Sequence, residues 1–181
     1  MPGKQTGRQK RELPEEIARS FSKRRVIMEI TLATESHVPG IVEVWQEFMN
    51  FHKELDPRFL MRKDAPPNWE KHLRELMKSG DNQVLVAMDN DHVIGYSISQ
   101  INRYAPLWER ETYGSISDMA LKANYRRKGI GEQMLDKIYE WFDARNIKII
   151  ELSVAARNQV GYSFWRKHGF QDYMHCLYLD R

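Results

Sequence analysis

One α/β domain on a mixed sheet (α+β in its strand pairing) is the fold this sequence predicts. Three observations carry that expectation. Strand-like segments of period two alternate with helix-like segments of period 3.6 from residue 29 to residue 179. Asn90-Asp91 joins two strand-like runs as a hairpin. A glycine-containing turn, Tyr125-Arg126-Arg127-Lys128-Gly129-Ile130-Gly131, follows an apolar strand pattern and opens an amphipathic helix. The 181 residues are enough to bury one full core.

The elements follow in order. Residues 1–27 form a basic extension, with Leu13, Ile17 and Phe21 at helical spacing behind Pro14. Residues 29–34 read as a strand. Ser36 is positioned to cap a helix over 38–53, whose face carries Ile41, Val44, Trp45, Phe48 and His52. Asp56-Pro57 breaks it, 58–67 reads as a loop, and Asn68 caps a second helix over 69–78 ended by Gly80. Strands are expected at 83–89 and 93–102, a loop at 103–111, and a strand at 112–121 leading into the glycine turn. A helix over 131–145, a strand at 148–154, a helix over 160–168 stopped by Gly169, and a last strand at 171–179 complete the order β-α-α-β-β-β-α-β-α-β.

Composition narrows the classes. An apolar fraction of 41% and a charged fraction of 29% are those of a soluble globular protein. No apolar run approaches the ~20 residues of a membrane-spanning helix, and the head has no apolar core of a secretory signal. The single cysteine, Cys176, excludes an internal disulfide and fits a reducing cytoplasm. It sits in the apolar run 174–179 and reads as a small core or strand residue. The six histidines are scattered without metal-ligand spacing, so no metal is expected. The net charge of +3 is uneven: residues 1–28 hold eight Lys/Arg against three Glu, so the remainder carries −2. The basic character is largely a property of the head, and the body has no continuous basic surface for nucleic acid.

Chemistry concentrates at the glycine turn. A diphosphate at a helix N-terminus gains from unpaired amides and the positive end of the dipole. Gly129 and Gly131 remove Cβ atoms that obstruct close approach, and Arg126, Arg127 and Lys128 bring positive charge. A Walker A loop is absent. A Rossmann fingerprint needs a small residue where Met134 stands, and Glu151 falls at the start of its strand rather than the end.

With these residues in place, the sequence resembles the GCN5-related N-acetyltransferase (GNAT) superfamily. The family's Arg/Gln-x-x-Gly-x-Gly/Ala motif matches Arg126, Gly129 and Gly131, with Asp118-Met119-Ala120-Leu121 as its lead-in. Its following motif matches Asn158, Gly161, Phe164-Trp165 and Gly169-Phe170. The resemblance covers residues 28–181 in element order and 115–170 in motif detail, and makes 28–181 an N-acetyltransferase domain. It implies a GNAT fold with splayed central strands and acetyl-CoA as cofactor. Pantetheine would lie as an added strand beside Met119, Ala120 and Leu121. The pyrophosphate would fall on the segment Arg126, Arg127, Lys128, Gly129, Ile130, Gly131 and Glu132. Asn158 would contact the cofactor, although a helix N-cap explains it equally.

The implied reaction is direct transfer of acetyl to a primary amine in a ternary complex. Asp118 is the candidate base and the amide near Met119 the oxyanion donor. Trp165 stands where the family commonly has its tyrosine acid, and an indole N–H releases no proton at useful pH. Tyr162, one turn earlier, is the alternative acid. Trp45, Phe48, His52 and Tyr104 are candidate acceptor contacts, and the acceptor is a small-molecule amine or a protein amine. A homodimer is compatible with the resemblance. Two other classes stay open: a non-catalytic coenzyme A sensor of the same fold, and a nucleic-acid binder using the basic head.

Overall fold

The computed structural model describes residues 28–181, so expectations for residues 1–27 lie outside the described residues. Five strands form one sheet in the order β1-β2-β3-β4-β5: Met28–Leu32, Asn82–Asp89, His92–Arg103, Thr112–Leu121 and Ile150–Glu151. The first four pair antiparallel, and β4 pairs β5 in parallel. Helices α1 (Val38–Leu55), α2 (Ala65–Lys78), α3 (Ile130–Asp143) and α4 (Gln159–Lys167) complete the domain. This is the mixed α/β architecture that the alternating periods predict.

Two cores sandwich the sheet. Strand alternation sends Val84, Val86, Tyr96, Ile98 and Ala120 to one face, where α1 and α2 cover them with Val38, Ile41, Val44, Trp45 and Leu73. Leu85 and Ile116 point to the other face, under Leu135, Ile138 and Phe142 of α3. Gly114 of β4 lies directly beneath Phe142: an added Cβ would sit 2.4 Å from its ring. Gly114→Ala therefore overpacks this core and is expected to cost about 1–3 kcal/mol in thermal unfolding. Gly80→Ala, with nothing within 4 Å of its Cβ, is expected to be neutral or slightly stabilising.

Several expectations shift. The second helix begins at Ala65, not after Asn68, because Pro66 and Pro67 occupy its first turn, where no N–H is needed. A 3₁₀ turn, Glu35–His37, precedes α1, so Ser36 lies inside that turn and does not cap α1. Strand β5 shrinks from the expected 148–154 to two residues, since only Gly114 and Ser115 of β4 face it. The last expected strand, 171–179, does not form. A strand needs a ladder partner, and among the described residues this stretch has none: Tyr173, Met174, Leu177, Tyr178 and Leu179 are exposed. Cys176, expected in a core or strand, is exposed with them.

Candidate active site

A β-bulge creates the cleft. Asp118 of β4 pairs Ile98 of β3, yet the next pair is Ile116 with Ser99, so Ser117 is the extra residue. The bulge bends β4 away from β5 just past their last paired residues, Ser115 and Glu151. Beyond it, the Lys122 N–H donates to the Ile94 carbonyl at 2.9 Å. Alternation by two then turns Ala120 and Asp118 toward β3, and the amides of Met119 and Leu121 toward the open side. These are free backbone groups on a strand edge, the element that pairs with an extended ligand. The central strands are splayed, as the resemblance implies.

Strand β4 runs directly into the glycine turn. Gly129 caps α3 in the left-handed conformation (φ 79°), and Arg127 is also left-handed at φ 61°. The first helical bond of α3 is the Gln133 N–H to the Gly129 carbonyl at 3.2 Å, so the amides of Ile130, Gly131 and Glu132 lack helical partners. Side chains anchor the turn. The Tyr125 hydroxyl donates to Asp89 at 2.7 Å, which raises the phenol's pKa, and Lys128 lies over the Tyr125 ring. Arg126 Nε donates to the Leu121 carbonyl at 3.0 Å. Arg126 thus braces the strand end, while Arg127 and Lys128 follow it in the turn. The two glycines differ. Gly129 serves backbone conformation; at Gly131 an added Cβ would lie 3.4 Å from both Met119 and Phe164, so it lets α3 approach β4 and α4. The Glu132 side chain leans to α4 and pairs with Lys167, which lowers its pKa, while its carboxylate lies 3.7 Å from His168.

Asp118 faces the α1/α2 side. It is half-buried and accepts a 3.0 Å bond from the hydroxyl of Tyr96, which is fully buried. Burial raises the Asp118 pKa above the ordinary carboxylate value, and the Tyr96 bond and the nearby His52 and His72 oppose that rise. Sequence reasoning missed Tyr96; its signal was a phenol in a core strand, which needs a polar partner. His52 is buried, its Nδ1–H donating to the Phe48 carbonyl at 2.9 Å and its ring set edge-on to Phe48, Phe51 and Phe59. In the neutral ring that leaves Nε2 as the lone-pair nitrogen. Trp45 stacks on Trp69 at 4.5 Å and is 5% exposed, so it belongs to the core of the α1–α2 pair.

Helix α4 forms the far wall. Asn158 caps it, accepting from the Gly161 N–H at 2.9 Å, and a Cβ on Gly161 would strike the Asn158 amide at 2.7 Å. The small residue of the motif is thus required by the cap. Asn158→Ala is expected to cost about 0.5–2 kcal/mol in thermal unfolding, whatever it does to cofactor affinity. Trp165 packs edge-on to Phe164 and Phe170. Tyr162, the alternative acid, donates to Asp172 at 3.1 Å and so is turned to the chain end. Tyr104 stacks on Tyr113 and donates to Glu151 at 2.5 Å, which pushes its pKa up to about 12. That places Tyr104 where β4 and β5 still pair, at the closed end of the cleft.

Known proteins share the family and the fold. The family model for the acetyltransferase (GNAT) family matches residues 43–170. The chain belongs to the GNAT acetyltransferase family. This GNAT chain is 28% identical over 138 residues to an uncharacterized N-acetyltransferase of Archaeoglobus fulgidus, covering 76% of this chain and 89% of that one. Among solved structures, the BH1408 protein of Bacillus halodurans, in a tetramutant form, shares the fold with a TM-score of 0.76 at 19% identity, over 84% of this chain and 99% of that chain. A predicted acetyltransferase of Clostridium acetobutylicum, solved with acetyl-CoA, has a TM-score of 0.69 at 20% identity, over 85% of this chain and 96% of that chain. Among the described residues, no helix of this GNAT domain is long and apolar enough to cross a membrane.

Proposed function

We propose that this GNAT protein transfers an acetyl group from acetyl-CoA to a primary amine by direct attack. The supporting observation is the continuity of the open β4 edge with the Gly129 turn: strand amides at Met119 and Leu121, then unpaired helix amides at Ile130, Gly131 and Glu132. Such a track suits a ligand that is extended and amide-bearing at one end and diphosphate at the other. Met119, Ala120 and Leu121 would hold the pantetheine arm, and residues 126–132 the pyrophosphate. Bound acetyl-CoA supplies an activated thioester. Asn158 would add a contact only beyond its capping bond.

The chain's own residues then manage protons. A lysine-like amine with a pKa near ~10.4 must lose a proton before it attacks. Asp118, raised by burial, is the acceptor for that proton, directly or through water, and Tyr96 fixes its orientation. The Met119 amide, on the open side of the bulge, is the donor for the developing oxyanion. His52, near enough to oppose the rise in the Asp118 pKa, and Phe48, whose ring meets His52, are the proposed acceptor contacts, and Tyr104 marks the closed end of the cleft. The departing thiolate, with a reference pKa near ~8.5, leaves with a proton from solvent or from Tyr162 once that phenol releases Asp172.

Trp165 and the commitment of Tyr162 to Asp172 favour one second reading, a coenzyme A sensor without turnover. Calorimetric titration with acetyl-CoA, followed by thiol release with an amine panel, decides between them. Binding in one equivalent with amine-dependent thiol release is expected. Binding without release supports the sensor, and no binding at millimolar acetyl-CoA overturns both.

A further inference from the structure

Glu132 stands third in α3, after Ile130 and Gly131, with Gly129 as the cap. A glutamate at that position ordinarily reaches back to the backbone N–H of the cap residue and covers the helix end. The positive end of the helix favours its charge there as well. The capping bond is not made here. Among the described residues the Gly129 N–H donates to no backbone carbonyl. The Glu132 carboxylate instead accepts from the ammonium group of Lys167, the last residue of α4.

Packing sets the two helix ends against each other. Gly131 lies against Phe164 of α4, whose ring a Cβ there would meet at 3.4 Å, and the Phe164 and His168 rings are centred 4.5 Å apart. His168 Nε2 lies 3.7 Å from Glu132 Oε1, too far for a hydrogen bond, and has no partner among the described residues. Among those residues Lys167 is thus the one group that holds the carboxylate. The pair lowers the Glu132 pKa, so the carboxylate is charged at neutral pH. Lys167 also sits at the negative end of α4, where a cation is favoured and an unpaired carboxylate is not. Without the Lys167 charge, the dipoles of both helices drive Glu132 the same way, off α4 and onto the start of α3.

We infer that Lys167 is a positioning residue for the cofactor, which keeps the Glu132 carboxylate off the turn that the diphosphate would occupy. Glu132 then offers the diphosphate its backbone N–H alone. When the pair is broken, the side chain folds back to the Gly129 N–H, and its charge competes with the phosphates for the α3 end. The seat therefore depends on a cation in a different helix, through a carboxylate 35 positions away in sequence.

The inference rests on the cofactor seat proposed above. The experiment titrates acetyl-CoA by calorimetry into the full chain, Lys167→Ala, Lys167→Arg, Glu132→Ala and the double variant. Amide hydrogen exchange at Gly129 is followed in the same proteins without cofactor. Lys167→Ala is expected to weaken binding by about 3–10-fold and to slow exchange at Gly129. On the Glu132→Ala background, the same substitution is expected to change affinity by less than about twofold. Lys167→Arg keeps the ion pair and is expected to restore affinity. The melting temperature is expected to move little in Lys167→Ala, because the pair is exposed. Equal affinity of the full chain and Lys167→Ala overturns the inference. Equal loss on both backgrounds overturns it too, since Lys167 then contacts the phosphates itself. Unslowed exchange at Gly129 in Lys167→Ala also overturns it, and that readout needs no cofactor. A full chain that fails to bind acetyl-CoA overturns the cofactor seat and this role of Lys167 with it, even where exchange shows Glu132 on the turn.

Discussion

Asp118→Asn is expected to lower kcat/KM for amine acetylation by about 10²–10⁴-fold while leaving acetyl-CoA affinity unchanged. Asparagine keeps the shape and accepts the Tyr96 bond through its amide oxygen, but takes no proton. The sign of the accompanying pH effects follows from burial, which raises the Asp118 pKa. The active carboxylate then forms only above the ordinary carboxylate range, so the acid limb of the rate profile lies higher than for a solvated aspartate. Tyr96 opposes that rise, so Tyr96→Phe moves the limb further up and slows the reaction on its acid side. Stability runs the other way. A carboxyl whose folded pKa is raised contributes most below its unfolded value, and that contribution is lost as pH rises through the folded value. At neutral pH the ionised, half-buried Asp118 is thus a cost, and Asp118→Asn should melt no lower than the parent. A variant that keeps activity within about threefold removes Asp118 from the proton path and leaves it a structural carboxylate.

The parts legible in the sequence were those written as local signals. The Asn90 turn, which takes φ 53°, the glycine turn and the Asn158 cap each fix geometry within a few residues. The mixed order of strands and helices followed from periodicity alone. What the sequence hid is set by distant partners. The bulge at Ser117 depends on how β4 registers against β3, and Ser117 looks like any strand serine. The Tyr96–Asp118 bond joins residues 22 positions apart. Residues 171–179 have the composition of a strand, and composition is silent on whether an edge is there to pair with. Trp45 and His52 share one helix face, yet Trp69 of α2 covers the first and the rings of Phe48, Phe51 and Phe59 surround the second, a distinction that only packing makes.

Gly129→Glu is expected to weaken acetyl-CoA binding by about 100-fold or more, with the domain still folded. Two effects add. A left-handed residue other than glycine costs roughly 1–2 kcal/mol, which shifts the turn away from the shape that aims the α3 amides outward. The new carboxylate also sits at the positive end of α3, where an anion is worth up to ~2 kcal/mol, and competes for the place proposed for the pyrophosphate. At 1.4 kcal/mol per tenfold, the pair reaches two decades. Gly129→Ala separates them, since it keeps the strain and omits the charge. It should lose only the strain's share, about tenfold in affinity, and lower the melting temperature at least as much as the glutamate, whose carboxylate the helix end favours. Gly131 is the poorer site for this test, because a side chain there presses on Met119 and Phe164 and disturbs the cleft wall whether or not a phosphate binds nearby. Calorimetry at low and high salt completes the argument. If the turn is a phosphate seat, the gap between the glutamate and alanine variants narrows with added salt. Equal binding by Gly129→Glu and the parent would remove the turn from the cofactor site and with it the proposed reaction.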